Sequence, residues 1–207
     1  MLTLYIVRHG ETEWNKEGRI QGRLNSSLTE NGRQVARLLG ERLRDVDFFR
    51  VISSPSERTR ETTELIIGDR GLLYETADGI MEMDMGPWQG LLMDEIRKRY
   101  ADQYDCFRNR PEDYLNEEAE SFIDMYKRAE KFLSTLLESG DTGNLLVVSH
   151  GLFIKSLFLV IKGIPINDFW TIPTVDGASL SVVQIEQGLM KVVLEGDISH
   201  VRDKSIG

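Results

Sequence analysis

The fold of this chain is decided by the stretch Leu4-Tyr5-Ile6-Val7-Arg8-His9-Gly10-Glu11-Thr12-Glu13-Trp14-Asn15. An apolar run stops abruptly at Arg-His-Gly and is followed by a polar loop, a pattern that predicts a central strand covered on both faces. A second stretch repeats the arrangement late in the chain, as Leu145-Leu146-Val147-Val148-Ser149-His150-Gly151. The chain has three histidines. Two of them at strand ends predict a shared site.

Segments with strand and helix patterns alternate along the chain. Helices are predicted over 29–44, 56–67, 92–108, 118–138 and 151–162, and strands over 2–7, 50–53, 72–75, 79–82 and 145–148, with a hairpin over 179–185 and 190–194. Such alternation predicts βαβ units and a largely parallel sheet. We expect one α/β domain over residues 1–207, in which 83–118 forms an excursion over the top.

The composition excludes several classes of protein. A hydrophobic fraction of 41% and a charged fraction of 29% are those of an ordinary globular protein. No apolar run of about 18 residues is present, so we expect no membrane span. The net charge of −9 argues against nucleic acid as a partner. No secretory signal pattern is present, and the single cysteine, Cys106, forms no internal disulfide, which favours the cytoplasm.

The charge is unevenly distributed. Residues 1–60 hold eleven Lys/Arg and eight Asp/Glu, whereas the remainder holds 14 and 26. An acidic protein that concentrates arginine in its first quarter is consistent with a local anion site. Four of these arginines have the simpler interpretation of a solvated helix face, namely Arg33, Arg37, Arg42 and Arg44.

Three strand ends are predicted to meet. Ligands of an open α/β sheet sit beyond the carboxyl ends of its strands, and these ends carry Arg8-His9, Ser53-Ser54 and His150. Arg58 lies one turn into the following helix, close enough to reach the same place. Guanidinium groups offer a planar fork that matches phosphate or carboxylate. We therefore predict an oxyanion site, and expect Arg60 to point elsewhere.

The remaining motifs narrow the chemistry. The chain has no HExxH or CxxC metal motif, no GxxxxGK[ST] loop and no GxSxG. A histidine surrounded by arginines remains, and imidazole is a competent nucleophile toward phosphorus. The arginines neutralise charge on the phosphoryl oxygens, and a carboxylic acid protonates the leaving oxygen. Residue chemistry alone ranks Glu82 and Asp84 equally for that role.

With these motifs in place, the sequence resembles the histidine phosphatase superfamily in its phosphoglycerate mutase-like branch. The first motif on which the resemblance rests is Arg8-His9-Gly10-Glu11-Thr12-Glu13-Trp14-Asn15. Five further motifs follow in order, namely Gly18-Arg19-Ile20-Gln21-Gly22 together with Ser27-Leu28-Thr29, then Gly32-Arg33-Gln34-Val35-Ala36, the segment from Ser53 to Thr63, the loop of Glu82, Gly86, Trp88 and Gly90, and Val147-Val148-Ser149-His150-Gly151. One such piece is a weak signal, but six in order are specific.

The resemblance implies a fold and a set of roles. The implied fold is a three-layer α/β/α sandwich with a mixed, mostly parallel sheet. The implied nucleophile is His9, and the implied proton donor is Glu82, which breaks the tie with Asp84. The implied phosphate pocket consists of Arg8, Arg58 and His150, and the implied substrate contacts are Asn15, Gln21, Gly22 and Gly151. Neither a metal nor an organic cofactor is implied, and the substrate is expected to be a small phosphorylated metabolite.

Hydrolysis and mutase chemistry share the phosphohistidine step. Members of the family that are true mutases place a lysine after the tryptophan-loop glycine and a paired Arg-Arg further on. Here the first position reads Leu91-Leu92-Met93, and Arg108 and Arg110 are separated. We therefore expect a metal-independent phosphomonoester hydrolase, with 2,3-bisphosphoglycerate-dependent phosphoglycerate mutase as the alternative. A binding module that keeps the pocket without catalysis is a third hypothesis.

Two features of the C-terminal region are left open by the sequence. His200, three residues before Asp203, either reaches the pocket mouth or is simply exposed, and exposure is the expectation. The valine pairs Val182-Val183 and Val192-Val193 form either part of the core or an edge for a homodimer. Selectivity among substrates is expected to arise from residues 83–118.

Overall fold

A six-stranded sheet forms the centre of the molecule. The computed structural model describes residues 1–202 of the 207-residue chain. The strands in this part are β1 (Leu2–Arg8), β2 (Phe48–Ser53), β3 (Glu75–Thr76), β4 (Gly143–Ser149), β5 (Leu180–Glu186) and β6 (Leu189–Asp197). Their spatial order is β3-β2-β4-β1-β5-β6. The first four strands of this order run parallel, and β5 runs antiparallel to both β1 and β6.

The register of the central strands aligns their carboxyl ends. Arg8 of β1 lies opposite Ser149 of β4, and Ser53 of β2 lies opposite Val148. The backbone N–H of His9 then donates to the Ser149 carbonyl at 2.9 Å. The residues that follow β1, β2 and β4 are thereby brought to one edge of the sheet, as the sequence predicts.

Helices cover both faces of the sheet. Their bounds are α1 (Glu13–Glu17), α2 (Glu30–Arg42), α3 (Glu57–Ile67), α4 (Met93–Arg99), α5 (Ala101–Asn109), α6 (Phe122–Ser139), α7 (Gly151–Lys162) and α8 (Ser199–Arg202). The helices α2, α3 and α6 are each preceded by a hydroxyl residue (Thr29, Ser56 and Ser121). Its side chain accepts a backbone N–H of the first turn. Such caps satisfy N–H groups that have no partner inside the helix.

The two faces have separate cores. Leu39 of α2 and Ile66 of α3 pack with Val148 on one face. Leu133 of α6 and Phe153 of α7 pack with Val147 on the other. Adjacent residues of β4 therefore point to opposite layers, as the two-residue period of a strand requires. The three-layer α/β/α arrangement with a mixed, mostly parallel sheet is confirmed.

Several predicted elements differ from the observed ones. The strand predicted over 79–82 is wrong, because a 3-10 turn spans Asp78–Ile80 and the carbonyls of Gly79 and Met81 accept from a side chain, Arg128, instead of a strand. The strand predicted over 72–75 is reduced to β3. The helix predicted over 92–108 is two helices, because Tyr100 leaves the helical conformation at ψ 41°.

An aromatic cluster joins residues 83–118 to α6 and to the 3-10 segment Ile166–Thr171. The ring of Phe107 has its centroid 5.0–5.3 Å from those of Trp88, Tyr114, Phe122 and Trp170. Offset and edge-to-face pairs of this kind contribute beyond their buried area. Phe107 of α5 thus anchors residues 83–118 through its contacts with rings of α6 and of the 3-10 segment Ile166–Thr171.

The C-terminal region corrects one expectation. His200 is buried, not exposed as predicted, and α8 packs on α2. Asp203, which the sequence places beside it, lies outside the described residues. In the hairpin, Val183 is buried in the core whereas Val193 of the edge strand β6 is half exposed. No helix within residues 1–202 is both long and apolar enough to cross a membrane.

Candidate functional site

His9 is held so that one ring nitrogen is free. Its Nδ1 lies 2.8 Å from the carbonyl oxygen of Gly10. Because a carbonyl only accepts, Nδ1 carries the proton of the neutral ring, and the lone pair is left on Nε2. The side chain is almost fully buried, yet it lines a cavity of about 260 Å³. The nitrogen that remains available is therefore a nucleophilic one.

The loop after His9 is packed between two other glycines. A Cβ added at Gly32 of α2 would lie 2.3 Å from the Glu11 carbonyl oxygen, and one added at Gly177 would lie 2.7 Å from the Glu11 nitrogen. Gly10 also donates its N–H to Thr62 Oγ1 of α3 at 2.9 Å. Backbone contacts this close admit only glycine. They fix the His9 backbone from both sides.

Arg8 lies beside His9 with part of its guanidinium unpaired. Its Nη1 donates to the Val175 carbonyl at 2.7 Å. Its Nε is buried and has no hydrogen-bond partner among the described residues. A buried donor without a partner is uncommon. An oxyanion in the cavity would satisfy it.

Arg58, His150 and Ser54 form a buried chain of hydrogen bonds. Arg58 Nη2 donates to His150 Nδ1 at 3.1 Å and to the Gly22 carbonyl at 2.7 Å, and its Nη1 donates to the Leu24 carbonyl at 2.6 Å. Because guanidinium only donates, the proton of neutral His150 lies on Nε2, which donates to Ser54 Oγ at 2.7 Å. Arg58 Nε has no partner among the described residues. It is the second unpaired donor of the site.

Glu82 lies at the amino end of α7. Its carboxylate accepts the backbone N–H groups of Leu152 and Phe153, each at 3.2 Å, and that of Met83 at 3.0 Å. The first turn of a helix has such free N–H groups, which makes it a natural seat for a carboxylate. Asp84, its rival by sequence, does not line the cavity and instead lies 3.5 Å from Arg23.

One cavity of about 260 Å³ collects most of the predicted residues. It is lined by the predicted Arg8, His9, Asn15, Gln21, Gly22, Arg58 and Glu82. His150 lies behind it and lines a neighbouring cavity that shares Arg58 and Glu82, with the two histidine rings 5.3 Å apart. Gly151 lines neither cavity. A Cβ there would lie 3.5 Å from Arg8 Nε.

The electrostatics keep both histidines neutral. Burial lowers the pKa of His9 well below its ordinary 6.5, and the charges of Arg58 and Arg8 lower it further. Burial also lowers the pKa of His150, and electrostatic interactions with Arg58, His9 and Arg8 lower it further. Burial lowers the pKa of Arg58 to about 10, so it remains a cation at neutral pH. The site thus combines a neutral imidazole with two cations.

The sequence analysis named residues 83–118 as a region for selectivity, but it did not single out most of the residues that form the outer wall of the cavity. This wall consists of Arg19, Ile20, Met85, Met93, Tyr104, Phe107, Arg108, Leu152 and Trp170. The guanidinium of Arg108 stacks on the Trp170 ring at 4.1 Å. Arg110, the other arginine of this segment, does not line the cavity and faces Asp105 and Asp113. Trp170 carries no motif signal, because only the tertiary fold brings it to the site.

No three or more His, Cys, Asp or Glu side chains in residues 1–202 converge on a point that could hold a metal ion.

Comparison with known proteins places this geometry in a family. Residues 4–198 match the model of the histidine phosphatase superfamily, branch 1. The chain belongs to this superfamily. A solved relative, Bacillus stearothermophilus YhfR, superposes with a TM-score of 0.93 at 35% identity, and the match covers 97% of this chain and 100% of that one.

Two further relatives have different names. Phosphoserine phosphatase 1 of Hydrogenobacter thermophilus is 32% identical over 187 residues, which are 90% of this chain and 88% of that protein. A protein of Erwinia tasmaniensis named "Probable phosphoglycerate mutase GpmB" is 32% identical over 211 residues, which are 100% of this chain and 98% of that protein. The relatives of this histidine phosphatase superfamily member thus include both phosphatases and a protein named as a mutase.

Proposed function

We propose that this chain hydrolyses small phosphomonoesters through a phosphohistidine on His9, without a metal or organic cofactor. The observation that carries the proposal is the state of His9. Its Nδ1 is bound to the Gly10 carbonyl and its Nε2 is free in a cavity that also holds Arg8, Arg58 and Glu82. That set supplies a nucleophile, two cations for phosphoryl oxygens and a carboxyl group for proton transfer.

The reaction follows from this arrangement in two displacements. The lone pair of His9 Nε2 attacks phosphorus, the ester P–O bond breaks, and the carboxylic acid of Glu82 protonates the leaving oxygen. Water then gives a proton to Glu82 and attacks phosphorus, the P–N bond breaks, and inorganic phosphate leaves. Arg8 and Arg58 hold the phosphoryl oxygens through their unpaired Nε donors. His150 positions Arg58, and Asn15, Gln21 and Gly22 line the mouth.

Hydrolysis is preferred to mutase chemistry because of the outer wall. A mutase must retain a phosphoglycerate whose carboxylate needs cationic partners. In this chain the wall is largely apolar and aromatic. It contains two cations, Arg108, which is exposed, and Arg19, which donates to Glu17 at 2.9 Å. We propose that this wall, contributed largely by residues 83–118 of a single domain, selects the alcohol part of the ester.

The similarity to the Erwinia tasmaniensis protein favours a second function, 2,3-bisphosphoglycerate-dependent phosphoglycerate mutase. The deciding experiment measures two rates on the same preparation. One is hydrolysis of p-nitrophenyl phosphate and a panel of phosphorylated sugars, glycerates, amino acids and nucleotides in EDTA. The other is interconversion of 3- and 2-phosphoglycerate with bisphosphoglycerate as primer.

We expect hydrolysis that EDTA leaves unchanged and an acid-labile phosphoprotein that His9→Asn abolishes. A mutase rate well above the hydrolysis rate would replace the proposal with the second function. Loss of turnover in EDTA would refute the metal-independent mechanism. Phosphate binding without any trapped phosphohistidine would mean that the chain is a binding module.

A further inference from the structure

The loop that carries Glu82 is fastened from outside the cavity by an Arg–Glu pair. Arg128 of α6 donates from Nε to Glu120 Oε1 at 2.6 Å and from Nη2 to Glu120 Oε2 at 2.9 Å. This is the bidentate arrangement in which a guanidinium fixes a carboxylate in both distance and plane. The Glu120 side chain is 9% exposed and that of Arg128 is 21% exposed. Neither residue lines the cavity that contains His9.

The pair holds the loop on both sides of Glu82. On the amino side, Arg128 Nη1 donates to the carbonyl of Met81 at 3.0 Å and to that of Gly79 at 2.9 Å. On the carboxyl side, Glu120 accepts the Asp84 N–H at 3.2 Å and donates its own N–H to the Asp84 carbonyl at 2.9 Å. Glu82 therefore lies on a short span that is anchored at the residue before it and two residues after it.

The same guanidinium also contacts the element that receives the Glu82 carboxylate. Arg128 stacks over the ring of Phe153, 5.2 Å from its centroid. The backbone N–H of Phe153 is one of the donors to Glu82. Contacts to the packed helices α6 and α7 thus hold both the main chain around Glu82 and its side chain. A displacement of about 1 Å in a reacting group is enough to cost about 100-fold in rate.

We propose that Arg128 and Glu120 are positioning residues that hold Glu82 where it protonates the leaving oxygen. The inference rests on the proposed function, because it assigns proton delivery to Glu82. Neither residue touches the substrate, since neither reaches the cavity. Their contribution is confined to the steps in which Glu82 transfers a proton, and in the first of these it depends on the leaving group. A merely structural pair would affect the first step equally for every substrate.

Leaving-group dependence separates these two roles. An alkyl phosphate expels an alkoxide, which needs a proton as the P–O bond breaks. p-Nitrophenolate is stable as an anion and departs with little help. Loss or misplacement of the general acid therefore slows the first displacement, measured as kcat/KM, far more for the alkyl ester than for the aryl ester.

The experiment compares Arg128→Met, Arg128→Lys and Glu120→Gln with wild type on p-nitrophenyl phosphate and glycerol phosphate. For Arg128→Met we expect kcat/KM for the alkyl ester to fall about 100-fold. This ratio reports formation of the phosphohistidine and is not affected by its hydrolysis, in which Glu82 acts alike for both esters. We expect kcat/KM for the aryl ester to fall less than about fivefold, and inhibition by inorganic phosphate to stay near wild type. Arg128→Lys restores part of the alkyl activity, because lysine keeps one charged donor but not the fork.

Two comparisons make the test decisive. Arg33→Met removes a similar pair, Arg33 with Glu61, outside the cavity, and should leave both substrates unchanged. Glu82→Gln should show the same leaving-group dependence, and adding Arg128→Met to it should cause little further loss for the alkyl ester. If Glu82→Gln lowers kcat/KM equally for both esters, the acid assignment in the proposed function is wrong.

If Glu82→Gln behaves as expected but Arg128→Met slows both esters equally, or slows neither, the positioning role is refuted. Should Arg128→Met fail to fold, the milder Arg128→Lys and Glu120→Gln carry the same test at a temperature below their unfolding transitions. An equal effect on the two esters in these variants would likewise overturn the inference.

Discussion

At the scale of single residues, Arg58 shows how a cation is held ready for a phosphoryl group. Two of its nitrogens are taken by the loop carbonyls and by His150, and Nε is left without a partner among the described residues. Lysine keeps the charge but cannot reproduce that planar set of donors. For Arg58→Lys we expect kcat to fall about 10²–10³-fold, and inhibition by inorganic phosphate to weaken. Steady-state kinetics with p-nitrophenyl phosphate measures both.

The same helix provides the control for Arg58. Arg60 lies two residues further along α3, is exposed and does not line the cavity. Arg60→Lys should therefore leave kcat, KM and phosphate inhibition unchanged. Equal losses in the two variants would mean that general charge attracts the substrate and that the Arg58 geometry is unimportant.

The residues that motifs could predict are those next to strand ends. Arg8 ends β1 and His9 follows it, and the parallel register brings His150 to them, so a pattern in the sequence is sufficient. Glu82 needed the resemblance, because a loop carboxylate gives no local signal that separates it from Asp84. Trp170 and the Leu24 carbonyl could not be predicted. Their places depend on which loops pack together, and backbone acceptors have no sequence signature.

At the scale of elements, the junction between β1 and α2 depends on one glycine. Alanine is ordinarily the better helix former by about 1 kcal/mol. At Gly32, however, a Cβ would lie 2.3 Å from the Glu11 carbonyl oxygen, a backbone atom that cannot move without moving the His9 loop. We expect the clash to prevail, so that Gly32→Ala lowers the free energy of unfolding by about 1–3 kcal/mol. Urea denaturation measures it.

Gly79→Ala is the matched control for stability. An added Cβ there meets nothing within 4 Å. That variant should unfold like wild type. A Gly32→Ala variant as stable as the control would show that the loop after His9 relaxes freely and that this contact does not fix it.

Element prediction succeeded where periodicity was strong and failed where tertiary contacts replaced it. The amphipathic pattern of α6 and the apolar run of β4 matched the observed elements within a few residues. The strand predicted over 79–82 failed because Arg128 takes the carbonyls that a neighbouring strand would have paired. Residue periodicity does not report such a competitor, because it lies about fifty residues away.

At the scale of the whole molecule, all three histidines are buried with lowered pKa values. Burial is the main cause at His9, His150 and His200, and arginine charges add to it at each. In the unfolded chain these groups take up protons near pH 6.5, whereas the folded chain resists doing so. Stability is therefore insensitive to them above that pH and falls as the pH drops from 6.5 toward their lowered values.

We expect the free energy of unfolding, measured by urea denaturation between pH 7.5 and 5, to decline in the lower part of this range. Each histidine contributes at most about 1.4 kcal/mol per unit of pH below 6.5. His200 lies outside the cavity lining, beside Arg42 and Asp197, so His200→Gln should make the decline shallower without removing it. A decline that begins only near pH 4.5 would assign acid sensitivity to carboxylates, and a slope unchanged by His200→Gln would mean that His200 titrates normally in the folded chain.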